Sequence, residues 1–461
     1  MKRDDILSGN AGLAGIHWAL SGQSSRRLLR KEVGAMLQPG YDAGPFQLTR
    51  AKFKPGRKLS AYFTFPVLDA SGKPCLPMHI AVTWQTDLDG DEADARDHLQ
   101  EEANRAGLMP VQRELWRELP EQGVRLQVWP LDPKFPHLVR LGDPSHVDRM
   151  LSSVDSAPGG KQLPVITPIR YRPGERHVLR YEVSDAGVRQ RLYAKLYKNG
   201  QDASRAFGVA NRVVDWLDAN PQGLQGNRPA AVSQEDYVVL YPHAPGVPLS
   251  HRLDHSPRWL GTQLKIIGRS LLTLHNGPES LRAGLKENTF ANEAKVVKRA
   301  SEHIQALLPE TYQKLLTILD TLQKQYADLP QEEPTFTHSD FKADHLLSTP
   351  RGLTLIDLDT CTLTDPALDL GKFLADLEWW FTRQGISGVE EAQMEVLKGY
   401  RGEGKPDPFL SDRLARARLF HVLILVKIVA RRVPIYKKDW GIMTNQMIER
   451  AAHVLKNSIK G

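Results

Sequence analysis

Cysteine and long apolar runs are both scarce in this chain of 461 residues. Only Cys75 and Cys361 occur, far apart and without the spacing of metal ligands, which excludes a disulfide framework and suits a reducing cytoplasm. The apolar run at 419–430 is interrupted by two polar side chains and is too short to span a membrane. Residues 1–5 carry acids and no long apolar segment follows them, so we expect no secretory signal.

The sequence also has few clusters of charged residues of one sign. The formal net charge of +7 is small for this length and is spread out, so nucleic-acid binding is not expected. One basic run with aromatic residues lies near the carboxyl end. We favour a solvated helix end there over a pocket for an anionic or sugar substrate. The run comprises Lys427, Arg431, Arg432, Tyr436, Lys437, Lys438 and Trp440.

The most informative segment is the loop at 337–345, which follows the pattern H-x-D-x-K-x-x-H and is followed by a second acidic strand end. Phosphoryl transfer needs a carboxylate that orients the acceptor hydroxyl and takes its proton, and Asp340 fits that role. Lys342 lies on the same side of an extended loop and can offset charge on the transferred group. His345 occupies the position of a metal ligand, and Asp357 completes the metal site from the next strand.

These motifs resemble those of the aminoglycoside phosphotransferase and choline kinase family, whose members use ATP and Mg²⁺. That resemblance makes Asp340 the catalytic base and Asp357 a metal ligand, and it adds Asp359 to the metal site. The family loop usually reads H-G-D-x-x-x-x-N, whereas Ser339 and His345 replace its Gly and Asn here. Magnesium prefers oxygen ligands, so the imidazole of His345 is an unusual substitute.

The family also implies the fold, a protein-kinase-like α+β bilobal architecture with an antiparallel β-lobe and a helical lobe. The segment at 365–371 resembles the D-P-x-x-D-L-[A/G] motif that opens the helix after the metal strand. In the family its second Asp braces the catalytic loop from behind, so the resemblance gives Asp369 a structural role. The segment 378–380, with one Glu and two Trp, is placed to line an acceptor pocket, although paired Trp on a helix more often pack in a core.

A kinase-like fold requires a lysine for the nucleotide phosphates on an upstream strand, and Lys195 in the alternating segment 191–197 is the candidate. Two strands before it form a hairpin around 173–176, in the position of the family's phosphate-covering loop. This turn has one glycine, Gly174, so we expect Arg176 to add charge there. Leu240 and Tyr241 lie in the expected hinge, whose backbone would meet adenine.

The helix after Lys195 lacks the glutamate that orients this lysine in the family. Alignment of the helix end puts Ala210 at that position, and no Glu occurs between Gln201 and Gln234. Three interpretations remain open: another acid such as Asp202 substitutes, the lysine is held differently, or the protein is a pseudokinase.

An internal repeat precedes this region. The segment 49–57 aligns with 167–175 at an offset of 118 residues, and the segment 129–141 aligns with 241–253 at an offset of 112. A loop six residues longer in the first copy accounts for the difference. The ungapped block matches Pro130, Pro133, Pro136, Arg140 and Leu141 to Pro242, Pro245, Pro248, Arg252 and Leu253.

The first copy has Val82 or Thr83 where the second has Lys195, and no catalytic loop follows it before the second copy begins. We therefore interpret it as a degenerate β-lobe that serves as a cap, a homodimer surface or part of an acceptor pocket, with one ATP per chain bound between Lys195 and Asp357.

The predicted layout has four parts: an amino-terminal extension (1–43), the degenerate lobe (44–150), the kinase β-lobe (161–253) and the helical lobe (254–461), with a linker at 155–160. The predicted function is transfer of the γ-phosphate of ATP to a hydroxyl of a small molecule. A sugar-like acceptor is the first expectation, since bacterial maltokinases are similar in length and also carry an extra amino-terminal cap. A pseudokinase module is the alternative. A protein kinase is disfavoured because no D-F-G or A-P-E segment follows the loop.

Overall fold

The computed structural model describes residues 2–86, 93–153, 162–185, 188–350, 352–402 and 408–458. The chain forms two compact units. The first contains 1–204, 230–243 and 434–440, and the second contains 205–229, 244–433 and 441–461. The helices that the structure describes are α1 Arg3–Ser8, α2 Gly12–Ser21, α3 Gln23–Ala35, α4 Ala93–Arg105, α5 Pro144–Ser152, α6 Gly200–Ala219, α7 Pro257–His275, α8 Glu279–Arg282, α9 Phe290–Ala300, α10 Glu302–Leu307, α11 Pro309–Asp328, α12 Ala367–Gln384, α13 Val389–Arg401, α14 Leu410–Arg432 and α15 Trp440–Ser458.

The strands are β1 Asp42–Ala43, β2 Gln47–Lys54, β3 Lys58–Leu68, β4 Pro74–Gln85, β5 Trp116–Leu119, β6 Val124–Val128, β7 Val165–Arg172, β8 Arg176–Asp185, β9 Val188–Leu196, β10 Leu224–Gly226, β11 Ala231–Ser233, β12 Val238–Pro242, β13 Val247–Pro248, β14 Thr335–Thr337, β15 Leu346–Thr349, β16 Gly352–Leu355 and β17 Thr362–Thr364.

The first unit contains two antiparallel sheets with the same strand order. In the first sheet β2, β3, β4, β6 and β5 are neighbours in that order, with β1 also paired to β3. In the second sheet the order is β7, β8, β9, β12 and β11. A helix follows the third strand in each case, α4 in the first sheet and α6 in the second. The two sheets of the first unit therefore share one strand order.

Strand register identifies the residue that corresponds to Lys195. Lys195 pairs with Val178, and Val178 corresponds to Ser60 at the offset of 118 residues. Ser60 pairs with Thr83, so Thr83 rather than Val82 takes the place of the lysine.

The last two strands differ between the copies. Thr83 faces Arg125 across the first sheet, whereas Lys195 faces Val239 across the second. The sequence offset of 112 residues would have put Gln127 opposite Thr83, so β6 is displaced by two residues. A displacement of two residues keeps every side chain on its original face of the sheet, because side chains alternate with a period of two. The first copy can therefore change register and still bury the same face.

One apolar core joins the first copy to the second sheet. Tyr62 and Ala81 of the first sheet lie in the same cluster of buried residues as Leu179, Tyr181 and Leu192 of the second. The connecting segment contributes as well, with Phe135, Leu138, Leu141, Val147, Met150 and Leu151. Packing against the kinase β-lobe therefore buries part of the first sheet, and these contacts give no support to a homodimer through it.

Polar contacts reinforce this shared core. The Tyr171 hydroxyl donates to the Leu131 carbonyl at 2.7 Å, and the Tyr181 hydroxyl donates to the Leu141 carbonyl at 3.1 Å. Both tyrosines are buried, so each hydroxyl needs a partner, and the segment after β6 supplies it. The predicted linker at 155–160 lies outside the described residues.

The second unit is mainly helical and carries two small sheets. One sheet has the order β10, β16, β15 and β13, and the other pairs β14 with β17. Helices α12 and α14 pack closely, and a Cβ at Gly371 would lie 2.5 Å from the Ala417 carbonyl oxygen of α14. Only glycine allows that approach. No helix among the described residues is both long and apolar enough to cross a membrane.

The compact units differ from the predicted layout in their bounds. Residues 205–229, most of α6 and the strand after it, belong with the second unit, and 434–440 belong with the first. The segment 1–43, expected as a short polar extension, contains α1 to α3, with buried positions such as Ile16 and Val33. Ile16, Ala19 and Leu20 of α2 recur at helical spacing and are buried, so a helical pattern is present in this segment of the sequence.

A chain that begins at Gln162 should be insoluble or should unfold without a cooperative transition. It would expose the apolar face of the second sheet and remove the acceptors of the Tyr171 and Tyr181 hydroxyls. Solubility and thermal unfolding by circular dichroism are the measurements. Co-expression with residues 1–153 is the control and should restore the soluble protein, whereas a stable and cooperative 162–461 chain would contradict this account.

Candidate active site

Two buried carboxylates of α12 fix the backbone of the predicted catalytic loop. Asp369 accepts hydrogen bonds from the amides of His338, at 2.7 Å, and Ser339, at 2.8 Å. Asp376 accepts one from the amide of Ala343 at 2.7 Å. Asp369 and Asp376 are fully buried, so these charge-assisted hydrogen bonds are strong and costly to lose. The loop conformation is thus set by the helix behind it, as the family resemblance implied for Asp369.

Ser339 adopts the left-handed backbone conformation, with φ of 60°. Glycine is the usual residue at such a position, and a non-glycine residue costs about 1 kcal/mol there. The Ser339 hydroxyl lies 2.5 Å from the hydroxyl of Thr362 and 3.0 Å from that of Thr337. These contacts tie the strained residue to β14 and β17 and offset part of that cost.

Asp340 is held by two ammonium groups. Lys342 donates to one carboxylate oxygen at 2.7 Å, and Lys372 of α12 lies 2.9 Å from the other. Burial would raise the pKa of Asp340, but Lys372, Lys342 and His345 outweigh burial and hold the pKa far below its ordinary value. Asp340 is therefore ionised throughout the physiological range.

His345 links Asp340 to Asp357. Its Nδ1 lies 3.8 Å from Asp340, and its Nε2 lies 3.2 Å from an oxygen of Asp357. Burial lowers the pKa of His345 to about 3, although the two carboxylates act in the opposite direction. The imidazole is neutral at pH 7, which is the state in which histidine binds a metal.

Asp340, His345 and Asp357 form the potential metal site among the residues that the structure describes. One possible ligand atom from each of the three lies within 4.8 Å of the others. Two carboxylates and one neutral imidazole suit a divalent cation, and the imidazole also allows Mn²⁺ or Zn²⁺. Asp357 has φ of 66°, and such strain is frequent at functional sites. Within this described set Asp359, the third predicted ligand, is not part of the cluster.

Lys195 is the last residue but one of β9, so it lies on a strand, as its alternating segment predicted. It pairs with Val178 of β8 and with Val239 of β12, and its Nζ is 4.8 Å from the centre of the Tyr241 ring. An ammonium at this distance from an aromatic face is held by a cation–π interaction. Lys195 and Tyr241, both predicted for the nucleotide, are thus adjacent side chains on one face of the second sheet.

The predicted phosphate-covering turn is tied to the first copy of the repeat. The amide of Gly174 donates to Asp132 at 2.7 Å, and the same carboxylate oxygen lies 2.7 Å from the buried His177. Glu175 accepts a hydrogen bond from Lys52 at 2.7 Å. The Gly174 amide is therefore already used and is not offered to a phosphate in this conformation. Arg176 begins β8 directly after the turn.

Leu240 and Tyr241 lie in β12, which pairs with β9 on one side and β11 on the other. The Leu240 carbonyl accepts the amide of Ala230 at 2.8 Å, so this acceptor is used within the unit and is not open to adenine. Ala210 of α6 is fully buried, where a glutamate would be poorly accommodated. Asp202, the alternative acid, is in the first turn of α6 and hydrogen bonds with Asn199.

Lys372, which was not predicted as a site residue, contacts the predicted base directly. The sequence contains a pattern that could have identified it, because Lys372 follows Asp369 by three residues and precedes Asp376 by four. Residues at these spacings share one face of a helix. If Asp369 contacts the catalytic loop, then Lys372, on the same face of the helix, is also expected to lie against that loop.

The proposed acceptor-side aromatics belong to the core. Trp379 is 2% exposed, and Glu378 is buried, with one carboxylate oxygen 2.7 Å from Nε2 of His421 and the other paired with Arg450. Trp380, half-buried, follows them on the same helix. The basic run at 427–440 is also not a solvated helix end throughout. Lys427 pairs with Glu293 at 2.5 Å in a largely buried contact, and burial, with the neighbouring Lys372, lowers its pKa to about 8.

Comparison with known proteins identifies the fold. The phosphotransferase enzyme family, abbreviated APH, matches residues 169–408, just over half of the chain. A choline kinase from Cryptosporidium parvum Iowa II has a TM-score of 0.50 and 11% identity, and the alignment covers 69% of this chain and 97% of that one. The fold is therefore the protein-kinase-like α+β fold. No curated protein matches the chain.

Two further structures are similar at lower scores. The spectinomycin phosphotransferase APH(9)-Ia, solved with ADP and spectinomycin, shares 13% identity over 69% of this chain and 98% of its own, with a TM-score of 0.45. A putative aminoglycoside phosphotransferase from Ralstonia eutropha JMP134 shares 16% identity over 68% and 97%, with a TM-score of 0.46.

Lys372→Met should lower the free energy of unfolding at pH 7 by about 1–2 kcal/mol, because one ammonium is removed from a mostly buried carboxylate while Lys342 remains. The pKa of Asp340 is depressed in the folded state, so its ion pairs stabilise the fold above the ordinary aspartate pKa of about 4. That contribution is lost as pH falls. The difference between variant and wild type should therefore shrink below pH 4, as measured by urea unfolding.

Lys398→Met is the matched control, since Lys398 is 54% exposed and pairs with Glu395 at the surface. It should leave stability unchanged. If Lys372→Met is equally harmless, the ammonium of Lys372 does not hold Asp340.

Proposed function

Because the chain belongs to the phosphotransferase enzyme family and is a small-molecule kinase, we propose that it transfers the γ-phosphoryl group of ATP to a hydroxyl of a sugar-like acceptor. The observation that supports this proposal is the cluster of Asp340, His345 and Asp357, within 4.8 Å of one another on a braced loop. Such a cluster combines an acceptor-orienting carboxylate with metal ligands, which are the parts that phosphoryl transfer needs.

Asp340 is the proposed base. The acceptor oxygen attacks the γ-phosphorus, the bond from that phosphorus to the β–γ bridging oxygen breaks, ADP leaves, and the hydroxyl proton passes to Asp340. The strongly lowered pKa makes Asp340 a weak base but keeps it ionised and able to accept a hydrogen bond from the hydroxyl. Since the transition state is loose, orientation of the acceptor matters more than early proton removal.

Lys342 contacts one carboxylate oxygen of Asp340, and Lys372 contacts the other. We propose that Lys372, which is 9% exposed and fixed on a helix, keeps the carboxylate oriented. Lys342 comes from the loop, so it is free to turn its ammonium toward the transferred phosphoryl group when substrates bind. Charge on that group would then be offset without loss of the orientation of Asp340.

His345 and Asp357 are the proposed metal ligands, with Asp359 close by in sequence and with Mg²⁺ as the expected ion. A divalent cation held there would supply positive charge that offsets the charge of the ATP phosphates. Asp357 provides the oxygen ligand that magnesium prefers. A neutral His345 adds a nitrogen ligand where the family usually has an amide oxygen.

The nucleotide would use groups of the second sheet. Lys195 is proposed to contact the phosphates, and Tyr241, with its ring beside that lysine, helps to fix it in the absence of a helix glutamate. Arg176 adds positive charge at the turn, whose Gly174 amide is taken by Asp132. A pseudokinase, the competing interpretation, is not favoured, because the family match spans the loop and the loop's carboxylates are assembled.

The acceptor class is tested by an ATP-consumption screen of the purified protein against sugars, amino alcohols and aminoglycosides. Stimulation above the basal rate by a sugar supports the proposal. If only an amino alcohol or an aminoglycoside raises the rate of ATP consumption, the acceptor belongs to that class and is not a sugar. If no compound raises the rate, the pseudokinase interpretation is favoured.

Asp340→Asn should lower kcat by at least about a hundredfold, since an amide cannot take the hydroxyl proton. ATP affinity should stay within a few-fold, because Asp340 acts on the acceptor. Steady-state kinetics and ATP titration are the measurements, and Asp320→Asn, at an exposed position of α11, is the control. Near-wild-type turnover of Asp340→Asn would refute its role as the base.

Asp357→Ala should abolish Mg²⁺-dependent ATP binding, whereas His345→Asn should preserve or improve it, because asparagine supplies the oxygen that magnesium prefers. Isothermal titration of ATP with and without Mg²⁺ is the measurement. Loss of activity in His345→Asn, together with better activation of the wild type by Mn²⁺ or Zn²⁺ than by Mg²⁺, would show that the imidazole selects another metal.

A further inference from the structure

A large, mostly apolar cavity lies within the first unit and is lined by the amino-terminal helices and the first sheet. Its volume is about 1020 Å³, and its lining comes mainly from α1, α2 and α3, the segment 44–48, and strands β3, β4 and β6. All of these residues precede the matched family region, which begins at residue 169. The cavity is therefore separate in sequence from the groups proposed to bind the nucleotide and to carry out transfer.

The sheet contributes one apolar face to the cavity. Five apolar side chains that share this face line it, and they are Phe63, Val82, Trp84, Val124 and Leu126. Tyr62 and Ala81, which join the core shared with the second sheet, alternate with Phe63 and Val82 and so lie on the other face. The cavity therefore adjoins the face of the first sheet that the shared core does not use.

The helices cover this face but do not fill the space against it. Val82 and Leu126 line the cavity and are each 1% exposed, so its floor is deep inside the unit. Ala19 of α2 is also 1% exposed, whereas Trp18 of the same helix is 37% exposed and marks the mouth. Protein interiors are close-packed, and an unfilled apolar space forfeits the dispersion contacts of its lining. A space of this size therefore indicates a ligand.

The charged side chains of the lining are balanced by partners or by one another. Arg3 pairs with Asp4 at 3.1 Å, and Arg30 pairs with Asp42 at 2.9 Å. Glu32 pairs with Arg117 at 3.1 Å. The two other charged residues of the lining, Arg26 and Glu121, have opposite signs.

Two hydroxyls of the lining are also used within the unit. Ser21 donates to the His17 carbonyl at 3.0 Å, and Ser25 donates to the Trp18 carbonyl at 2.9 Å. With its charges balanced and these hydroxyls bonded to backbone, the cavity offers a ligand mainly apolar contacts and does not select for charge.

We infer that this cavity is a binding site for a neutral, largely apolar small molecule. Its volume is at the upper end of the roughly 300–1,000 Å³ of small-molecule pockets, which are lined mainly by hydrophobic and aromatic side chains. Phe46, whose ring lies 4.8 Å from that of Phe65, and Trp84 add aromatic surface to the lining. The site goes beyond the proposed transfer reaction and does not depend on it.

Nile red, a neutral dye whose emission rises in apolar surroundings, tests the site on the full chain. Wild type should bind the dye with saturation at one molecule per chain. Excess ATP with Mg²⁺ should not displace it, because the groups proposed for the nucleotide lie on the second sheet. Absence of saturable binding, or displacement of the dye by ATP, would overturn the inference.

Val82→Phe places a ring on the floor of the cavity. It should weaken dye binding about tenfold or more, because the ring takes space that the dye would occupy. The melting temperature should stay the same or rise, since the ring fills an empty space rather than a packed core. Dye titration and thermal unfolding are the measurements.

Leu28→Gln tests the helical side of the cavity and decides the matter if Val82→Phe does not fold. Leu28 is half-buried on α3, so a polar side chain is tolerated there and should weaken dye binding about threefold through the lost apolar contact. Ile442→Gln, at a 63% exposed apolar residue of α15, is the matched control and should bind as wild type does. Wild-type affinity in Leu28→Gln or in a folded Val82→Phe, or an equal loss in Ile442→Gln, would overturn the inference.

Discussion

The candidate site depends on a fully buried carboxylate, Asp369, that accepts two consecutive backbone amides of the catalytic loop. An ionised group in a protein interior is costly unless hydrogen bonds replace its hydration. Here the amides of His338 and Ser339 take the place of water around the carboxylate. The same two hydrogen bonds fix the loop in a conformation in which Ser339 has a left-handed backbone. They therefore help to set the positions of Asp340 and His345, which lie on this loop.

Helix α12 carries the rest of the arrangement on the same face. Asp369, Lys372 and Asp376 follow one another at spacings of three and four residues and contact the loop at three points. A loop tied at several points to a rigid helix has little freedom to move its carboxylates apart. The close approach of α14 at Gly371 fixes that helix in turn. The positions of the loop carboxylates are therefore set by the packing of α12 rather than by the loop itself.

Much of the site could be predicted because its chemistry is encoded at short spacing. Asp340, Lys342, His345 and Asp357 lie within 18 residues, and alternation was enough to place Lys195 on a strand. Features that depend on contacts between residues far apart in the sequence could not be predicted. The Gly174 amide is taken by Asp132, which is 42 residues away, and no local pattern shows that pairing. Burial decided against an acceptor role for Trp379, because an amphipathic helix with aromatic residues looks the same whether it faces a core or a pocket.

The repeated sheet shows why fold and chemistry can separate. An antiparallel sheet must bury at least one face. The two sheets use opposite faces for the shared core, because Ala81 lies two residues from Thr83 and so on its face, whereas Ala194 is next to Lys195 and lies on the other face. The strands pair through backbone groups, so Thr83 can stand where the second sheet has Lys195 without a change of strand order. A displacement of β6 by two residues also keeps that order, because it leaves every side chain on its original face. The strand order therefore does not depend on the lysine that the second sheet carries.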